Sequence, residues 1–212
     1  MTKKEWTPEE RRLRGRMRLF GMLAGILAAL PSLILAVIVL AGRGAFLPSW
    51  VRFENRQTEK NGQVFTVSGK RFTVREGDRT VLATPGQWLV QDLLLSDIDG
   101  DGMDEVLLLV WKRGSFGAHR PTWIARDERR FSQHICIYEQ RMDRREAGTD
   151  AALPEEIWHQ CWMSSAMPLS CASWKVGDEI PGTGRPSVDL TDPDGNVMRF
   201  GWLSWGLTRL DG

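Results

Sequence analysis

The sequence predicts one transmembrane α-helix followed by an all-β domain outside the cytoplasm, a twisted β-meander or sandwich. Three observations carry this. An uncharged apolar run fills residues 19–41. Beyond it, short stretches of alternating apolar and polar residues are broken at Gly, Pro, Asn and Asp. Charge is also divided: residues 1–18 hold seven Lys/Arg and three Glu, while residues 44–212 hold 20 basic and 24 acidic residues. The formal net charge of +1 hides that division. The basic residues in excess sit in one short terminal segment, so no nucleic-acid partner is expected.

Thr7, Pro8 and Glu10 open a helix. They supply a capping hydroxyl, a proline at the first helical position and a capping-box carboxylate. Arg11, Arg12, Arg14, Arg16 and Arg18 follow, then 23 uncharged residues. At about 1.5 Å per residue these span a hydrocarbon core of roughly 30 Å. A soluble surface helix of that length shows a polar stripe, and this run has none. It also exceeds the apolar run of about 7–15 residues in a signal peptide. Residues 41–45 offer no clean A-x-A cleavage site, so a retained signal-anchor is expected. Pro31 is tolerated inside a span because neighbouring groups absorb the missing donor.

The arginines set orientation. By the positive-inside rule the N-terminus is cytoplasmic, and residues from about 44 onward lie outside a single-pass cell membrane protein. The same arginines suit anionic headgroups, which makes the lipid bilayer the first expected partner. Gly21, Gly25 and Ala29 form a small-residue stripe that suits a second transmembrane helix. Trp50 is placed for the interfacial belt. The expected organisation is a basic helical tail at 1–18, a transmembrane helix at 19–41, a juxtamembrane linker at 42–52 and a β domain at 53–212.

Within that domain, strands are expected at 63–67, 70–74, 80–84, 88–96, 106–111, 133–139, 172–176, 187–190, 197–203 and 206–210. Turns are expected at Ser68-Gly69, Glu76-Gly77-Asp78, Pro85-Gly86 and 192–196. Residues 155–163 fit a helix by their Pro-Glu-Glu start or a strand by Ile157, Trp158, Cys161 and Trp162, and strand is favoured. Long loops are expected at 112–128 and 141–154. Ten Trp against one Tyr fill the core or form a stacking platform for sugars. Cys136, Cys161 and Cys171 lack C-x-x-C spacing, which leaves one disulfide plus a thiol, or three buried thiols.

Residues 97–105, Asp-Ile-Asp-Gly-Asp-Gly-Met-Asp-Glu, pack five carboxylates into nine positions between two apolar strands. Hard cations such as calcium take six to eight oxygen ligands, and carboxylates at alternate positions of a tight loop can turn inward together. An EF-hand is excluded, because its twelfth position is Leu108 and its flanks are strand-like. The run resembles the strand–loop–strand calcium site of FG-GAP/VCBS-type β-propeller repeats, written D-x-D-G-D-G-x-D-[DE]. Asp97, Asp99, Asp101, Gly102, Asp104 and Glu105 carry the likeness. It implies a partial or small β-propeller-like domain and a structural Ca2+. It also implies side-chain ligands Asp97, Asp99, Asp101 and Glu105, a carbonyl ligand at Met103, and an Asp104 that points away.

No catalytic residue is expected. His119, His134 and His159 are scattered, and no nucleophile or phosphate-binding motif is present. The glycine-rich segment 114–120 is the one further candidate loop. The expected role is non-catalytic binding or assembly at the cell envelope through a protein or glycan partner. The alternatives are an accessory subunit of a membrane complex and an envelope hydrolase. If the span pairs through its small-residue stripe, replacing Gly21 and Gly25 by Leu weakens association measured by energy transfer in liposomes. Unchanged association removes that pairing.

Overall fold

The structure is a computed structural model that describes residues 7–42, 44–45, 47–114, 131–140, 158–164, 170–203 and 205–210. The chain forms two compact units, Met1–Leu47 and Pro48–Gly212.

The first unit is the helix α1, Pro8–Gly42, unbroken through Pro31. Residues 8–18 of the basic tail and the apolar run are thus one helix. Within it Gly15–Leu40 is long and apolar enough to cross a membrane, a property a signal sequence near an N-terminus shares. Leu, Ile and Phe side chains around the helix are exposed, for instance Phe20, Ile26, Leu33 and Ile38. Water is a poor solvent for such a surface.

Among the described residues the second unit is antiparallel β structure in three four-stranded sheets, none closed on itself. Sheet A holds β1 (Arg56–Lys60), β2 (Gln63–Ser68), β3 (Arg71–Glu76) and β4 (Arg79–Ala83). Sheet B holds β5 (Leu89–Ser96), β6 (Glu105–Arg113), β7 (Phe131–Gln140) and β8 (Trp158–Met163). Sheet C holds β9 (Ser173–Glu179), β10 (Pro186–Thr191), β11 (Val197–Leu203) and β12 (Gly206–Arg209). Each sheet is a meander in chain order, so every neighbour in a sheet is a neighbour in sequence.

Local chemistry explains the hairpins. Asn61 (φ 52°) and Gly62 (φ 76°) turn β1 into β2, and Gly69 (φ 55°) and Lys70 (φ 67°) turn β2 into β3. Positive φ at both central positions matches the twist of antiparallel strands. The second turn therefore sits at Gly69-Lys70, one residue beyond the expected Ser68-Gly69, and Ser68 pairs with Arg71. At the 192–196 turn, Asp192 Oδ1 accepts from the N–H groups of Asp194 (2.9 Å) and Asn196 (2.8 Å). Of the 155–163 segment, residues 158–163 are strand, and 155–157 lie outside the described residues.

Strand β1 is additional to the strands that alternation predicts. Its sequence, Arg-Gln-Thr-Glu-Lys, has no apolar residue, and all five positions are exposed. It forms because the Asn-Gly turn folds it onto β2, with Arg56 opposite Val67 and Lys60 opposite Gln63.

Sheet B is the middle layer. Eight successive residues of β6, Glu105 to Lys112, are buried. Val106, Leu108 and Val110 pack with Phe65, Val67, Phe72, Val74 and Trp88 in one core. Leu107 and Leu109 point the other way and pack with Trp174, Val188, Leu190 and Phe200 in a second. The far faces of the outer sheets mix polar residues with a few apolar ones, Val64 on sheet A and the exposed Val197 and Leu203 on sheet C. Thr66, Thr73 and Arg75 are half-buried or exposed on sheet A. Lys175, Arg199 and Thr208 are exposed on sheet C, where Arg199 Nε donates to Asp189 Oδ1 at 3.0 Å.

Polar bonds lock the layers. Gln133 Nε2 donates to Gln91 Oε1 (2.8 Å) and to the Cys171 carbonyl (2.8 Å), while Cys171 N–H donates to Gln133 Oε1 (2.7 Å). Trp111 Nε1 also donates to Gln91 Oε1 (2.8 Å). Between sheets A and B, the N–H of Val90 donates to the Lys70 carbonyl (3.0 Å). Trp50 stacks at a tilt on Trp111, 5.9 Å between ring centres, so its ring belongs to the β unit. Of the eight described tryptophans four are buried, Trp88, Trp111, Trp158 and Trp174, and Trp162 and Trp202 pack half-buried against the core, whereas Trp205 is 82% exposed. The three cysteines are separate thiols. Burial pushes those of Cys161 and Cys171 up to about 12.

A two-layer sandwich would leave one face of β6 wet, and this fold leaves neither. Leu107→Ala and Leu108→Ala, adjacent but facing opposite cores, are each expected to cost about 2–5 kcal/mol in chemical denaturation. A cost below about 1 kcal/mol for either one removes the corresponding outer layer.

Candidate metal centre

The 97–105 loop joins β5 to β6, and Ser96 pairs with Glu105 across its mouth. Two glycines, Gly100 (φ 80°) and Gly102 (φ 89°), take left-handed backbone that a larger residue would strain. The aspartates shape the rest as nested Asx turns. Asp97 Oδ1 accepts from the N–H groups of Gly100 (2.7 Å) and Asp101 (3.1 Å), and its Oδ2 accepts from Gly102 (2.9 Å). Asp99 Oδ1 accepts from Asp101 N–H at 3.2 Å.

Glu105 differs in kind. It is the first residue of β6 and only 4% exposed. Its Oε2 accepts from Ile98 N–H at 2.8 Å, and the Ile98 side chain is buried in the core between sheets B and C. The loop is therefore pinned from beneath by an apolar anchor and by one buried carboxylate.

Asp97, Asp99 and Glu105 each present an oxygen, and these three oxygens lie within 4.8 Å of one another. Among the described residues this is the one such group of metal-ligating side chains. Asp101 is not in it; its Oδ1 accepts from Met103 N–H at 2.8 Å. Met103 thus enters the loop through its N–H. Asp104 turns outward and pairs with Lys60 of β1.

The electrostatics reflect crowding. Burial, then the charges of Asp99, Asp101 and Asp97, push the Glu105 carboxyl up to about 8, opposed by the Ile98 hydrogen bond. Burial and the Asp101 charge likewise raise Asp99, with Arg185 pulling the other way. Arg185 reaches the loop from the turn before β10, with Cγ and Nε 3.3 Å from where a Cβ on Gly100 would stand. Sequence patterning marks neither Arg185 nor Lys60 as part of this site. Each arrives from another sheet, and no local motif signals it. The Asn61-Gly62 turn could have revealed the strand that carries Lys60.

The described histidines, His134 and His159, do not join the loop. His134 is fully buried, with Nε2 2.9 Å from Ser132 Oγ and Nδ1 3.1 Å from the Ser164 carbonyl. Ser132 is buried too, so this pair offers a substrate no approach. His119, the 115–120 part of the glycine-rich segment and the 141–154 loop lie outside the described residues.

A raised carboxyl pKa has a definite sign. Between its ordinary 4.5 and about 8, folded Glu105 holds a proton that the unfolded chain has released. Stability without divalent cations therefore falls as pH rises through that window, then levels off. Denaturation midpoints measured in chelator should show the fall, and Glu105→Gln should flatten it. A wild-type profile level across the window counts against the buried carboxyl.

Comparison with known proteins returns no matching family model, no matching curated protein and no matching solved structure. The geometry of the loop and the character of the helix are therefore the grounds for a functional reading.

Proposed function

We propose that this chain is a single-pass membrane protein whose β domain lies outside the cytoplasm and holds a structural Ca2+ in the 97–105 loop. The domain serves as a non-catalytic binding or assembly module at the cell envelope. One observation carries the metal: three carboxylates, one of them buried, converge within 4.8 Å. A divalent cation neutralises them, and oxygen-only donors of irregular arrangement suit calcium better than magnesium. Asp97, Asp99 and Glu105 supply the first oxygens. Asp101 and the Met103 carbonyl join as the sphere fills.

The anchor is supported by the exposed apolar helix and by the arginines at its N-terminal side. The same reading takes the three four-stranded meanders as blade-like units in an open, propeller-like array. Its support is the repeated meander and the placement of the acidic loop between the first two strands of the middle sheet. Cation binding then ties two strands that sheets A and C both cover.

Thermal unfolding of the full chain in lipid nanodiscs tests the cation. Occupancy at 100 times Kd adds roughly 2.7 kcal/mol, a rise in Tm of several degrees. The combined Asp99→Ala and Asp101→Ala variant should lose that rise. An unchanged wild-type Tm between chelator and millimolar calcium overturns the site.

A further inference from the structure

Two cationic side chains reach the acidic loop, one from each outer sheet, and they are used differently. Lys60 pairs with Asp104, the carboxylate that turns outward. Arg185 forms no ion pair with a carboxylate among the described residues. Its Nη1 donates to the Trp202 carbonyl at 3.4 Å. Its charge still acts on Asp99 through space. A guanidinium that keeps its full charge beside converging carboxylates repels a cation that enters among them.

The placing of Arg185 is built into the fold. It closes the turn between β9 and β10, where its carbonyl accepts from Ile180 N–H at 2.8 Å and its N–H donates to Thr183 Oγ1 at 3.2 Å. Thr183 donates to the Ile180 carbonyl from its N–H (3.1 Å) and from its hydroxyl (2.9 Å). Gly100 meets this side chain from the loop. It takes a left-handed φ of 80°, and its lack of a Cβ leaves room for the arginine stem. Glu105, 4% exposed, has the Ile98 N–H on one oxygen and no other hydrogen bond or ion pair among the described residues. A buried carboxylate within 4.8 Å of two others calls for a cation, and Arg185 does not bond to it.

We propose that Arg185 sets the affinity of the cation site: it stands off the carboxylates as a built-in competitor and keeps calcium binding weak, a step that rests on the metal-centre reading. In a largely aqueous dielectric such repulsion weakens binding of a divalent ion by roughly three- to tenfold. Salt screens it. The coupling is reciprocal, so a loaded site loses the stabilisation that Arg185 gives the empty loop. A weak site fills and empties with the calcium around it.

The test titrates calcium by isothermal calorimetry into the full chain in nanodiscs of zwitterionic lipid. Arg185→Gln, and Arg185→Met with its longer apolar stem, are expected to bind calcium roughly three- to tenfold more tightly than wild type at low salt. The gain should shrink at about 0.5 M salt. Arg185→Lys restores the charge and should return toward wild-type affinity. Lys175→Gln, an equal loss of charge on β9, should leave the affinity unchanged, which separates a local effect from net charge. In chelator both neutral variants should melt below wild type, because the acids lose a counter-charge. Equal or weaker calcium affinity in the folded neutral variants overturns the proposal. An equal gain in Lys175→Gln does the same, as does Arg185→Lys binding as tightly as Arg185→Gln. A calcium response that is the same with and without Arg185 overturns the role of Arg185 alone. No calcium response in wild type or variants, with the chelator Tm still lowered, overturns the cation as well and leaves Arg185 a plain counter-charge.

Discussion

Strand β6 is apolar at six successive positions from Val106 to Trp111, and that run constrains the whole β domain. A strand alternates its side chains between two faces, so a continuous apolar run must be covered on both. One extra sheet would bury Val106, Leu108 and Val110 and leave Leu107 and Leu109 wet. The chain supplies a meander before sheet B and another after it, and sheets A and C close the two sides. The outer sheets then carry polar residues such as Thr66, Thr73, Lys175 and Arg199 on their far faces, with Val197 and Leu203 exposed among them on sheet C.

The two interfaces are held differently. Sheet A meets sheet B mainly through apolar side chains, with a few backbone and arginine bonds at the margin. Sheet C meets it through an apolar core and a buried amide network around Gln91, Gln133 and the Cys171 backbone. Each such bond is worth only about 0.5–1.5 kcal/mol net. Their value is in fixing one register, because a slip of either sheet would strand several buried amide groups. The acidic loop leaves the mouth of β5–β6, where both outer sheets reach it, Lys60 from one side and Arg185 from the other. An exposed pair such as Lys60 with Asp104 adds at most about 1 kcal/mol. Neither it nor Arg185 removes the crowding at Glu105.

Most of the strands were legible because alternation and turn residues are local properties. Gln63 to Ser68 alternates, Gly69 allows the reversal, and Arg71 to Glu76 alternates again. Strand β1 was illegible because an edge strand buried on neither face needs no apolar residue, and only its Asn-Gly turn betrays it. In the loop, the convergence of Asp97, Asp99 and Glu105 was readable from their spacing. The place of Asp101 outside that group was not, since its carboxylate is drawn into a local turn with Met103. Trp158 was legible as a core residue, but that its N–H finds no partner among the described residues depends on which groups the fold brings near it.

The sequence by itself determined the membrane-length helix, the β character of the chain beyond it, and the acidic loop between two apolar strands. Each is written in consecutive residues, as apolar length, as alternation, or as carboxylate and glycine spacing. Tertiary structure alone decided that three sheets stack with the loop-bearing sheet in the middle. It also decided that Glu105 is buried while the other carboxylates of the loop are less so, and that a cleft forms between the β1–β2 hairpin and that sheet. Burial and proximity are sums over distant segments, and a local pattern cannot encode which segments those will be.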